Sequence, residues 1–210
     1  MIETFPDYSQ LDSKWGFEPG LERTMCGIVC TKALLDYYDQ KKKRTMTAMG
    51  SLLETMNESN SHVSNGIKHS FEVDILSARG LIAWRRNWNA PSTDVQWLID
   101  NEQYTRQQVD KISAQQSAEQ SMPSQETREL YSIAVSIQND NPVIASVRAG
   151  FGGNKGDHQI VIIGSEEENG AAYYTVMDPE RPVGTTIHSV PVDHFFEYFN
   201  NRAIFATQPI

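Results

Sequence analysis

Apolar positions follow a helical period through the first two thirds of the chain and a strand-like period through the last third. From Gly27, the residues Gly27, Cys30, Ala33, Leu34, Tyr37 and Tyr38 recur at three and four positions, which predicts a helix with one buried face. Lys41, Lys42, Lys43 and Arg44 mark its solvated end, where cations suit the negative pole of the helix dipole. Met46, Met49, Leu52, Leu53 and Met56 predict a second helix over 46–56. Ile67, Phe71, Ile75 and Ala78 predict a third over 66–79, stopped by Gly80 ahead of an extended 81–84. Leu130, Ile133, Ala134 and Ile137 predict another over 126–138, ending before Asn141 and Pro142.

Residues 103–125 hold 7 Gln and few apolar anchors, so a segment spanning about 100–127 is expected to be an exposed helical or mobile insertion. Beyond Pro142, strands are predicted over 143–149, 158–163, 172–177, 185–190 and 203–206, with a short helix over 192–199. Helices first and an antiparallel sheet second predict a segregated α+β fold. Residues 1–25, with Pro6, Gly16, Pro19 and Gly20 and no sustained period, read as an extended arm. The 210 residues amount to about 1.4 typical domain lengths, so one domain over 1–210 carrying the Gln-rich insertion is expected.

Composition narrows the partners. The net charge of −9 and a pI near 5.0 oppose a phosphate backbone, so no nucleic acid partner is expected. The longest apolar run, Ile160, Val161, Ile162 and Ile163, is far short of a membrane span. The start of the chain has neither a cationic nor an apolar signal region, which reads as a cytoplasmic protein, although delivery into another cell is compatible with it. Oligomeric state is left open. Cys26 and Cys30 are too few for a disulfide framework, and no third ligand lies near them in sequence, so neither a metal nor an organic cofactor is expected.

The chemistry-bearing candidate is Cys26, directly before Gly27 and the first helix, where the positive pole of the helix dipole favours a thiolate. A free thiol is only about 3% ionised at pH 7, and lowering its pKa by about 2 units takes roughly 2.7 kcal/mol. A helix terminus alone does not supply that, so a cationic partner is required. Five histidines are available: His62, His69, His158, His188 and His194. His158 stands apart because it opens a strand after the Gly-rich segment 150–157, which reads as a mobile flap or wall. That segment leads into a strand and lacks a Gly-Lys-Ser/Thr ending, which argues against a phosphate cradle.

Asn169 and Gly170 give a hairpin turn, and pairing centred on residue 168 sets His158 opposite Asp178, close enough for the carboxylate to orient the ring. Cys26, His158 and Asp178 then form a nucleophile, base and orienting group. An oxyanion donor comes from the Cys26 backbone N–H and from a side-chain amide of the arm, for which Gln10 is the candidate. An ordinary surface glutamine explains Gln10 equally well.

These blocks together resemble papain-like cysteine peptidases. They are the run from Phe5 through Tyr8, Gln10 and Asp12 to Trp15; Cys26-Gly27 opening a helix that ends in Asp36-Tyr37-Tyr38; Pro142 to Val147; Asp157-His158 through Gly164; and Val176 to Pro179. More narrowly, they are similar to soluble relatives of the double-glycine leader peptidases that process bacteriocin precursors. The resemblance implies a papain-like fold, with Cys26 as nucleophile, His158 as base, Asp178 as orienting residue and Gln10 as oxyanion donor. Leader peptidases carry that glutamine six residues before the cysteine, where this chain has Gly20. The implied activity is hydrolysis of a peptide or isopeptide bond in a peptide or protein substrate. Two alternatives stand beside it: transglutaminase-like acyl transfer to an amine, and a papain-like scaffold that only binds a peptide or protein.

Overall fold

The computed structural model describes residues 2, 4–18, 22–59, 62–63, 66–89, 104–153 and 155–209. Among them six helices run α1 Cys26–Lys41, α2 Met49–Glu58, α3 His69–Ala78, α4 Arg106–Glu119, α5 Gln125–Gln138 and α6 Val192–Tyr198. Two short strands, β1 His62–Val63 and β2 Gly66–Ile67, pair with each other. The main sheet comprises β3 Ile82–Asn87, β4 Val143–Val147, β5 His158–Glu168, β6 Ala171–Met177, β7 Ile187–Pro191 and β8 Phe199–Thr207. Its order is β3-β8-β4-β5-β6-β7, antiparallel throughout. No described helix is long and apolar enough to cross a membrane.

Helix α1 forms the spine. It packs on β5, α2 and α3, and every residue from Cys26 to Asp39 is buried rather than one stripe alone. The polar members of that run survive burial by pairing, since a lone buried charge is costly. Lys32 and Asp36 form an ion pair, and the Tyr8 hydroxyl donates to Asp36 Oδ2 at 2.6 Å. The arm is thereby tied to the helix.

Several boundaries differ from the sequence expectation. The third helix begins at His69, not 66, because Gly66 and Ile67 pair with β1. Met46 is 51% exposed and lies ahead of α2, whose buried residues are Met49, Leu52 and Met56. On α5 the buried face carries Glu129, Ser132, Ile133 and Ile137, leaving Leu130 exposed. Glu129 earns its place inside through hydrogen bonds from Gln125 and Asn201.

The Gln-rich stretch is helical, one of its two expected forms, but it is packed on one side rather than exposed throughout. Over Arg106–Glu119 it is a packed helix, opened by a Thr105/Gln108 capping box and set against β3 and α5. Val109 and Ile112 are buried. Its amides bind the sheet edge: Gln108 Nε2 donates to the Ala83 carbonyl at 2.6 Å, and Gln115 Oε1 accepts from Trp84 Nε1 at 2.9 Å. Hydrogen bonds to a strand supply what apolar area does not, which a count of hydrophobic residues overlooks. The part of the expected insertion within 100–103 lies outside the described residues.

Candidate active site

Cys26 is the first residue of α1. Its N-cap, Met25, makes no side-chain cap bond, so the first-turn N–H groups have no capping side chain. Gly27 follows because a Cβ there would stand inside contact distance of Gln159 Oε1 and of Glu72 Oε1. The Cys-Gly pair thus lets the helix start press close against β5.

His158 opens β5 opposite Val147 of β4. Its Nε2 lies 2.7 Å from Asp178 Oδ1, both side chains being almost wholly buried. The Cys26 side chain interacts with the same ring, and with Nε2 engaged by Asp178 the ring nitrogen left for it is Nδ1. Burial alone would favour a neutral imidazole, but the bonds to Asp178 and Cys26 outweigh it and push the His158 pKa up to about 10. Burial likewise opposes an ionised Asp178, and the hydrogen bond from His158 with its charge prevails, holding the carboxyl below its usual range. The Glu180 backbone N–H donates to Asp178 Oδ1 at 3.0 Å, and Arg181 Nε stands 3.9 Å from Oδ2.

The register that joins His158 to Asp178 is not the one expected. The hairpin turns on Asn169 and Gly170, both at positive φ, with Glu168 opposite Ala171. Between Ile162↔Val176 and Gly164↔Thr175 one residue, Ile163, is extra on β5. Continuing the pairing beyond Val161↔Met177 sets Glu180, not Asp178, across from His158. The paired register ends at Met177, and Asp178, one residue past the end of β6, reaches His158 from there rather than from a directly opposed strand position. Without the bulge the pairing would be one residue out of phase and Asp178 would lie on the opposite face.

The other histidines are placed differently. His69 lies 3.1 Å from Ser146 Oγ, and burial, with Arg202 and Arg85, pulls its pKa down to about 4. Burial likewise pulls the His188 pKa down, and its Nδ1 lies 3.1 Å from the Thr186 carbonyl. His194 stacks on Phe151 and pairs with Glu197. The His62 side chain and Gly20 lie outside what is described.

Gln10 is buried at 1% exposure, with its Oε1 free of any hydrogen-bond partner. Its arm is pinned beside Asp178: the Gln10 N–H donates to the Pro179 carbonyl at 2.7 Å, and the Ser9 hydroxyl donates to the same oxygen at 3.2 Å. Trp15 Nε1 closes the loop onto the Ser9 carbonyl at 2.6 Å. A surface glutamine is thus ruled out by burial.

The Gly-rich segment is a wall rather than a flap over its first half. Phe151 is buried against Tyr198 and His194, and Gly152, at φ +61°, brings backbone close to Asp178 Oδ2. Cys30 is fully buried, its Sγ donating to the Gln159 carbonyl at 3.4 Å, and burial drives its pKa well up. Among the described residues, no cluster of His, Cys, Asp and Glu is arranged to hold a metal ion.

Sequence reasoning missed Glu72, Gln159 and Glu180. Gln159 Nε2 donates to Glu72 Oε2 at 3.0 Å, and the Thr31 hydroxyl donates to Oε1 at 3.4 Å, joining α1, α3 and β5. A signal for Glu72 existed, since it sits four residues before Leu76 on the buried side of α3. Nothing local marks Glu180.

The sequence profile of the Peptidase_C39 like family matches residues 2–204. No curated protein matches the chain. Among solved structures, the peptidase domain of Streptococcus ComA, described as a bi-functional ABC transporter involved in a quorum sensing pathway, is similar in fold. It shows a TM-score of 0.50 at 12% identity, covering 96% of this chain and 97% of that one. A double glycine motif protease from an AMS/PCAT transporter, solved in complex with the leader peptide, gives a TM-score of 0.49 at 14% identity over 98% and 93%. The α+β architecture expected from the sequence is papain-like, with helices first and the antiparallel sheet second.

Proposed function

The chain belongs to the Peptidase_C39 like family, and from that premise we propose that it is a cysteine peptidase cleaving a peptide or isopeptide bond through Cys26, His158 and Asp178. The carrying observation is the buried 2.7 Å contact between His158 Nε2 and Asp178 Oδ1, with Cys26 at a helix start interacting with the same ring. Asp178 holds the imidazolium, and the imidazolium with the helix dipole supports a thiolate.

The Cys26 thiolate attacks the carbonyl carbon, and the oxyanion takes hydrogen bonds from the Cys26 backbone N–H and the Gln10 side-chain amide. As the C–N bond breaks, the Nδ1–H of His158 passes its proton to the leaving amine. The neutral ring then takes a proton from water, which attacks the thioester; Sγ leaves as thiolate and His158 is again protonated. The residues require no metal or organic cofactor for these steps.

Alkylation tests the reading without a known substrate. Iodoacetamide at pH 6 should modify Cys26 at least about a hundredfold faster than the fully buried Cys30, and His158→Ala should slow the labelling of Cys26 toward that of an ordinary thiol. Slow, equal labelling of both thiols would favour a peptide-binding scaffold instead.

A further inference from the structure

Glu180 Oε2 stands 4.0 Å from His158 Nδ1, the nitrogen not engaged by Asp178, and its side chain is 39% exposed. Its backbone is fixed twice over. The Glu180 N–H is held by Asp178 Oδ1, and the preceding Pro179 carbonyl accepts from the Gln10 arm. Arg181, the nearest cation in sequence, is turned toward Asp178. Among the described residues no lysine or arginine pairs with the Glu180 carboxylate. A partly exposed carboxylate with no lysine or arginine partner among the described residues therefore sits beside His158 Nδ1, the ring nitrogen that Asp178 leaves unengaged.

That placement has a chemical consequence. The group receiving the proton from Nδ1 is the amine of the residue that follows the scissile bond. A charge close to Nδ1 on its solvent side meets that residue and the ammonium group released with it. At separations of several Å and partial exposure, one unit charge changes local affinity for an ion severalfold, in opposite senses for cations and anions.

We infer that Glu180 is a specificity-determining residue on the leaving-group side of the cleft, selecting substrates with lysine or arginine after the cleaved bond and rejecting those with aspartate or glutamate. This rests on the peptidase reading above.

Two measurements test it. Matched methanethiosulfonates carrying a trimethylammonium or a sulfonate group form a mixed disulfide with the Cys26 thiolate and release methanesulfinate, so their rate ratio reads the charge beside the sulfur. Normalised to a neutral methanethiosulfonate for each variant, the cation-to-anion ratio should fall about tenfold in Glu180→Gln and further in Glu180→Lys. New N-termini released from a peptide library by the wild type should be enriched in lysine and arginine, with Glu180→Lys shifting the enrichment toward acidic residues. An unchanged ratio in Glu180→Gln, or cleavage without charge preference, overturns the assignment and leaves the peptidase reading intact. Absence of library cleavage together with slow alkylation of Cys26 overturns both.

Discussion

His158 and Gln159 are neighbours on β5, and because strand side chains alternate they enter two buried polar clusters on opposite faces. On the His158 face, burial is overcome: a carboxylate at 2.7 Å and the Cys26 sulfur keep the ring charged. On the Gln159 face, burial wins. Among the described residues Glu72 receives hydrogen bonds from an amide and a hydroxyl and from no cation, and burial pushes its pKa up to about 8. Two equally buried clusters one residue apart thus hold opposite charge states, and the partner's charge, not the depth, decides which. The charged cluster suits chemistry; the neutral one joins the helix that starts at Cys26 to the strand that starts at His158.

The largest effect should come from removing the charge on the first face. Asp178→Asn keeps the shape but loses the ion that holds the imidazolium, so kcat should fall by about a thousandfold. The alkaline limb of activity, which in the wild type follows loss of the imidazolium proton near the His158 pKa of about 10, should move to lower pH. A pH–rate profile with the limb unmoved would separate Asp178 from the proposed base.

Gly27→Ala disturbs the second face by pressing a methyl group onto Gln159 and Glu72. A loss of about 1–3 kcal/mol in denaturant unfolding is expected, with slower Cys26 alkylation as the helix start shifts. Unaltered stability would mean that the helix start is not tightly packed on Gln159.

Glu72→Gln gives the smallest and most diagnostic effect. Because the folded pKa of Glu72 lies above its ordinary value of 4.5, its contribution to stability is complete below about 4.5 and is lost as pH rises through about 8. Between pH 5 and 6.5 the wild type should lose about 1.4 kcal/mol per pH unit relative to the glutamine variant, since every other titrating group, His158 included, is common to both. Parallel stability curves over that window would show Glu72 ionised inside the fold.

Much of the architecture was written in local pattern. A helix beginning within one residue of Gly27, the Asn169-Gly170 turn and the succession of helices and strands follow from period, glycine placement and turn chemistry, which act over a few residues. Cys26, His158, Asp178 and Gln10 were singled out because a thiol at a helix start needs a cation, and a strand opened by histidine after a run of glycines offers one. Direct pairing centred on residue 168 does not account for the His158–Asp178 contact, because an extra residue at Ile163 shifts the register and Asp178 lies just past the paired strand.

What the sequence determined by itself is the set of elements and the residue types able to do the chemistry, because backbone preference and hydrophobic period are short-range properties. Only the tertiary structure decided the extra residue at Ile163, the closure of α4 on β3, the neutral Glu72 and the carboxylate of Glu180 beside the ring. Each depends on which distant segment supplies the partner, and neither period nor composition encodes that distance.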